Sequence, residues 1–320
     1  MITKIHKDFV SGPIYLIVLF IAFLLVRSLK VSEGEALYLW TSTAIQTGTA
    51  FFLLYLNQTF AIINHRSCLP AIFYLLLTGT DSSLCFDRFA SVSALTVGGC
   101  FFFLFATYQK ANSQKEILNI SLLLSITGLY QFNILFILPF FWYGMYKFKS
   151  LNIRTFFASL TGVIFVYLLV FCWSVYADDM DFFSGFFPDI ESFRRISTPS
   201  FDAKERIVAA VIVLQILVSG AKIYMLGFSA KIQSVTFLKF FYICSIAGLI
   251  VAAFHGQYRS EWLLIFYIPV SFLFAHYFTF IRNKWNSWLL FFTIIVLFIL
   301  SMMPDWPSTQ LMCQIPGGQN

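Results

Sequence analysis

The residues able to do chemistry in this sequence are charged groups set at the ends of apolar runs. Glu33 and Glu35 stand in a short loop between two such runs. Asp81, Asp87 and Arg88 form a second group, and Asp178, Asp179 and Asp181 with Arg194 and Arg195 a third. A fourth is His255-Gly256-Gln257-Tyr258-Arg259 with Glu261. Carboxylates at a membrane face can hold a divalent cation through oxygen ligation. A guanidinium clamps phosphate with two parallel hydrogen bonds. A cation and an Arg together would stabilise the charge that develops during transfer from a lipid phosphate. Against this stands the plainer reading of each residue as a solvated loop charge. Nothing matches a P-loop, a dinucleotide fingerprint, a Gly-x-Ser-x-Gly elbow or a His-rich metal site.

The elements that must position these groups lie in a bilayer. Of 320 residues, 59% are hydrophobic and only 11% charged, with 41 Phe, 15 Tyr and 7 Trp. Soluble domains carry roughly 25% charge, and such an aromatic load would leave large apolar patches facing water. Apolar runs of about 20 residues instead match a hydrocarbon core of about 30 Å at 1.5 Å per residue. The expectation is an all-α polytopic membrane bundle of about eleven spans: 9–26, 37–63, 69–78, 89–107, 117–130, 132–146, 155–176, 207–228, 236–254, 262–280 and 288–303. Residues 1–303 form one helical membrane domain, with an outer loop at 177–206 partly in the interface, and 304–320 form a polar tail.

Some spans carry further signals. Gln46, Asn57 and Gln58 in the second point to packing inside a bundle, and Gly98-Gly99 to a close helix contact. The third is short, so it is re-entrant or enclosed by neighbours. The fifth and sixth form a hairpin turning at 130–133, because Lys110 and Lys115 before it and Lys147, Lys149 and Arg154 after it then share one side. Gln131 and Asn133 are turn residues that would meet a ligand if the tip is covered. Lys222 reads as a snorkelling side chain and His276 as a packed one.

Charge orients the chain. With the N-terminus in the cytoplasm and the C-terminus outside, the inner loops collect Lys4, Lys7, Arg66, Lys110, Lys115, Lys147, Lys149, Arg154, Lys231, Arg282 and Lys284, as the positive-inside rule requires. Of the 15 carboxylates only Asp8 and Glu116 fall inside. The net charge of +6 is spread over short loops, so nucleic acid is not the partner. The first span has no small-x-small cleavage site and reads as uncleaved. The six Cys show no metal-ligand spacing. Cys85 and Cys313 both fall outside, and whether they pair is open.

Two resemblances follow. Asn64-His65-Arg66 with Leu69-Pro70-Ala71-Ile72-Phe73-Tyr74, the turn Gly128-Leu129-Tyr130, and Leu264 to Tyr277 (LIFYIPVSFLFAHY) resemble a bacterial family of Phe-rich polytopic membrane proteins, often labelled beta-carotene monooxygenase. That resemblance covers most of the chain and implies the membrane architecture without an activity. An iron oxygenase needs a set of His ligands, whereas His6, His65, His255 and His276 are scattered over both faces. The layout is also similar to the membrane core of GT-C glycosyltransferases, which use polyprenyl-phosphate sugars. By that likeness Glu33-Gly34-Glu35 stands where the family has an acidic pair in the first outer loop, with Glu35 as metal ligand or base. The hairpin around Tyr130, and Tyr258-Arg259 to Pro269, look like two further segments of that fold, in the second of which an Arg meets the lipid phosphate. Glu-x-Glu is not the family's usual pair, and its soluble outer domain is missing.

The leading expectation is an inner-membrane protein acting on a polyprenyl-linked sugar or phosphate at the outer face. Glu35 and Glu33 would be catalytic, and Arg259, Arg88, Asp87, His255 and Tyr258 would bind substrate, with a divalent cation as an optional cofactor. The alternative is a non-enzymatic component of an envelope assembly or secretion system, its Phe-rich spans facing a membrane-protein partner. A transporter ranks third, because it calls for paired broken helices or mid-membrane charges.

Overall fold

A computed structural model describes residues 13–29, 36–63, 67–110, 112–185, 203–225, 231–254, 259–280 and 284–303. Its helices are α1 (Pro13–Ser28), α2 (Ala36–Phe60), α3 (Leu69–Gly79), α4 (Ser82–Phe86), α5 (Arg88–Ala106), α6 (Gln114–Gly128), α7 (Leu138–Lys147), α8 (Ile153–Tyr176), α9 (Met180–Ser184), α10 (Ala203–Met225), α11 (Ile232–Phe254), α12 (Arg259–Phe280) and α13 (Lys284–Met302). A 3-10 turn, Phe132–Ile137, leads into α7. No strand occurs among the described residues.

The chain is a helical membrane protein. Among the described residues five helices are long and apolar enough to cross a bilayer: α5, α8, and the stretches Ala203–Tyr224, Ile232–Phe254 and Arg259–Thr279. α1, α3 and α13 present shorter apolar stretches. α8 shows why the solvent is lipid: Phe157, Ile164, Phe165, Leu168, Leu169 and Trp173 are all exposed.

α12 is the central post. It is apolar on every side, as a helix enclosed by others must be, and from Leu264 to Phe278 every residue is buried. α3 lies against it with all eleven residues buried. Pro70, in the first turn where no intrahelical N–H bond is lost, starts this helix. Phe73 then packs edge-on to Phe274 at 5.2 Å and stacks on Phe278 at 5.6 Å. The expected short third span is therefore a helix covered by its neighbours.

Contacts sort the helix ends into two groups. At one end Phe105 stacks on Phe237 at 4.3 Å, and Phe60, Phe148 and Phe241 close around the pair. Such ring pairs add about 0.5–1.5 kcal/mol each beyond area burial. The 130–133 hairpin turns at the other end: α6 stops at Gly128, and the chain returns to bond Gln109 N to Phe148 O at 3.0 Å. Lys222 Nζ lies 4.8 Å from the Tyr277 ring, and His276 is buried.

Two expectations about packing change. Asn57 is buried, accepting from Ile63 N at 3.1 Å, and Gln46 is buried, but Gln58 is exposed. Polarity marks the buried face only where a partner waits on it. A Cβ on Gly98 or Gly99 would meet only ordinary contacts of 3.6 and 4.0 Å. Tight helix contacts are elsewhere: a Cβ on Gly162 of α8 would lie 2.0 Å from Ser121 Oγ of α6, and one on Gly220 of α10 would lie 2.4 Å from the Tyr242 ring of α11.

Candidate functional site

The Phe-poor end of the bundle carries a belt of polar side chains inside the protein. It begins with Arg27 in the last turn of α1, which is 1% exposed. Its guanidinium donates to Thr43 Oγ1 at 2.8 Å, to Gln46 Oε1 and to Thr78 O at 3.4 Å, and stands 4.5 Å over the Phe23 ring. Burying a cation costs several kcal/mol unless hydrogen bonds replace water. Here neutral oxygens from α2 and the end of α3 do so, and they tie α1 to both.

Gln46 carries the belt onward. Its amide nitrogen donates to Leu84 O at 2.8 Å and to Ser91 Oγ at 2.9 Å, and Ser91 Oγ donates to Asp87 O at 2.8 Å. Asp87 is a helix cap by type and position: its Oδ1 accepts from Ala90 N at 2.9 Å, satisfying an N–H that α5 leaves free. Its Oδ2 accepts from Ser260 Oγ of α12 at 2.6 Å. Arg88 turns outward and lies 4.1 Å from the ring of Tyr38 on α2.

The first turn of α12 reaches three elements with three consecutive side chains. Arg259 pairs with Glu205 of α10 at 2.9 Å, Ser260 bonds Asp87 of α5, and Glu261 faces the hairpin tip. Gln131, with its amide nitrogen turned to Glu261, donates to Glu261 Oε1 at 3.2 Å, to Ser93 Oγ at 2.5 Å and to Phe89 O at 3.3 Å. Glu261 is 2% exposed, and its Oε2 has no hydrogen-bond partner among the described residues. Gln131, half-buried, thus links the hairpin tip to α5 and α12, while Tyr130 beside it is exposed and Asn133 is buried.

On the Arg259 side, α10, α11 and α12 enclose a cavity of about 310 Å³. Its rim is polar: Thr80, Asp81, Ser83, Lys204, Glu205 and Arg259. Its depth is apolar, with Ile212, Leu249, Ala252, Leu263 and Phe266. Lys204 Nζ donates to Met303 O at 2.8 Å, fastening α10 to the end of α13. The mouth therefore carries two cations and two carboxylates, Arg259 being paired with Glu205, above an apolar depth. Among the described residues no three of His, Cys, Asp and Glu are grouped to hold a metal ion.

Of the sequence-derived candidates, Arg259 lines the cavity, Asp87 joins α5 to α12, and Arg88 packs on Tyr38 outside the cavity. Glu33, Glu35, His255 and Tyr258 lie outside the described residues, as do Arg194, Arg195 and Cys313. Cys85 is buried, its thiol donating to Asp81 O at 3.4 Å. Sequence reasoning gave Arg27 and Lys204 no part in a site and placed Glu261 among the charged groups without a specific role. Polar residues spaced through apolar helices, such as Thr43, Gln46 and Ser91, were the available signal for a buried polar belt. No protein-family model, curated protein or solved structure matches the chain.

Proposed function

We propose that this chain is a multi-pass protein of a bacterial inner membrane, with about eleven membrane-directed segments, that acts on a polyprenyl-linked sugar or phosphate at the outer face. The N-terminus is cytoplasmic and the C-terminus outside. The carrying observation is the cavity between α10, α11 and α12, whose mouth sets Arg259 and Lys204 beside Asp81 and Glu205 and whose depth is apolar. An anionic lipid head with a hydrocarbon tail has that division of polarity. Arg259 takes the phosphate bidentately, a role a guanidinium fills better than an ammonium. A GT-C-like transferase would supply the reacting carboxylate from Glu35 or Glu33 in the loop joining α1 to α2. Arg27 and Thr43 anchor the helix ends that flank that loop.

The test is complementation of a deletion strain by Glu35→Gln and Arg259→Ala. Both variants should insert, accumulate and fail to complement. Wild-type behaviour of both would end the catalytic reading, leaving a non-enzymatic envelope component. That second reading expects a stoichiometric partner in a mild-detergent pull-down.

A further inference from the structure

A second, smaller cavity of about 40 Å³ lies against the opposite side of the seam between α11 and α12. It is almost wholly apolar, lined by Phe101, Ile137, Cys244, Trp262 and Pro269 among others. The two cavities occupy neighbouring stripes of the same helices. Leu249, Ala252, Leu263 and Tyr267 face the first; Cys244, Gly248, Ile265 and Pro269 face the second. Phe266 borders both, so its ring is their shared wall. That ring sits where α11 has no side chain: a Cβ on Gly248 would lie 2.9 Å from Phe266 Cδ2.

We infer that the two cavities are halves of one path for a single hydrocarbon chain, and that Phe266, seated on Gly248, sets how far the chain runs. This rests on the lipid-phosphate reading above. From Arg259 at the mouth to Pro269 at the far cavity, α12 rises about 15 Å over ten residues. A chain held by its phosphate at Arg259 fills the first cavity, then displaces the Phe266 ring to enter the second. The seam is relieved at one glycine only, which passes one chain and not the two acyl tails of a phospholipid. Phe266 and Gly248 are thus specificity-determining positions for chain length, separate from the head-binding Arg259.

The experiment titrates geranyl monophosphate, too short to pass Phe266, and undecaprenyl monophosphate into the purified full chain in mild detergent. Wild type should bind the long chain at least about tenfold tighter than the short one, a difference of about 1.4 kcal/mol. Gly248→Leu should erase that preference while leaving geranyl monophosphate affinity within about twofold, less than about 0.5 kcal/mol. Cys244→Trp, which fills the far cavity, should do the same and serves if Gly248→Leu fails to fold. Phe266→Ala should keep or widen the preference. Equal binding of both lipids by wild type, or a long-chain preference intact in Gly248→Leu and Cys244→Trp, overturns the path. Binding of neither lipid by wild type overturns the lipid-phosphate reading itself, and the path with it.

Discussion

Arg259 Nη2 and Glu205 Oε2 lie 2.9 Å apart at the mouth of the larger cavity, with side chains 22% and 25% exposed. The pair joins α12 to α10 where a ligand's head would arrive. Partly exposed ion pairs contribute about 0–1 kcal/mol once screening is counted. Glu205→Gln should therefore shift thermal unfolding in detergent by only a degree or two. It should strengthen, not weaken, binding of a prenyl monophosphate, because it removes the anion already facing Arg259. Weaker binding by the Gln variant would show that Glu205 helps to hold the ligand.

Asp87 is expected to matter structurally. It caps α5 and accepts from Ser260, so Asp87→Ala loses a cap worth about 0.5–2 kcal/mol and a charge-assisted bond worth about 1.5–3 kcal/mol. Asp87→Asn, itself a good cap, should recover most of the first. Unfolding of the two variants in the same detergent gives the comparison. Equal losses would mean that the negative charge, and not the cap, is what α5 needs.

Arg27 and Gln46 form a directional pair. Gln46→Leu removes acceptor and donors together and leaves a buried guanidinium with fewer partners, at a cost of about 3–5 kcal/mol. Arg27→Met removes the cation and leaves only acceptors short of a donor, at about 1–3 kcal/mol. The double variant should be less destabilised than the sum of the two. Additive losses in that cycle would mean the residues act independently.

Glu261 can be tested without its charge. Glu261→Gln keeps an acceptor for the Gln131 amide and relieves the like charge of nearby Asp87. It should be at least as stable as wild type, while Glu261→Ala should lose about 2 kcal/mol through the unmet donor and the void it leaves. The ratio of the two accumulations in membranes reads this directly. A Gln variant as damaged as the Ala variant would show that the carboxyl itself is required.

Gly162 should resist substitution because Ser121 stands where its Cβ would go, with Leu118 O 3.3 Å away. Gly162→Ala is expected to cost about 1–3 kcal/mol by pushing α8 off α6. Adding Ser121→Gly should recover part of it. No recovery would place the strain on the Leu118 carbonyl.

The legible parts of the fold were those decided by local composition. The hairpin at 130–133 follows from cations on both flanks, and the shortness of α3 left two alternatives, re-entrant or enclosed, of which the packing on α12 selects the second. Gln46 and Asn57 announced buried partners because an amide in a bilayer needs them. What stayed hidden depends on residues far apart in the chain. Arg27 follows an apolar run, as a flanking interfacial cation would, and only Thr43, Gln46 and Thr78 make its site an interior one. Gln58 carries the same side chain as Gln46 but faces outward, a difference of helix face that type alone does not give. The cavity was equally out of reach, since α10, α11 and α12 build it from small and large residues with no motif.

The shortness of α3 has a further consequence. Eleven residues rise about 16 Å, roughly half the hydrocarbon thickness. Its polar end, Thr80 with Asp81 and Ser83, thus lines the cavity together with Tyr267 and Arg259. Water following these groups would thin the bilayer beside α3, so the lipids bordering this side of the protein would hold their heads lower than those bordering its longer helices.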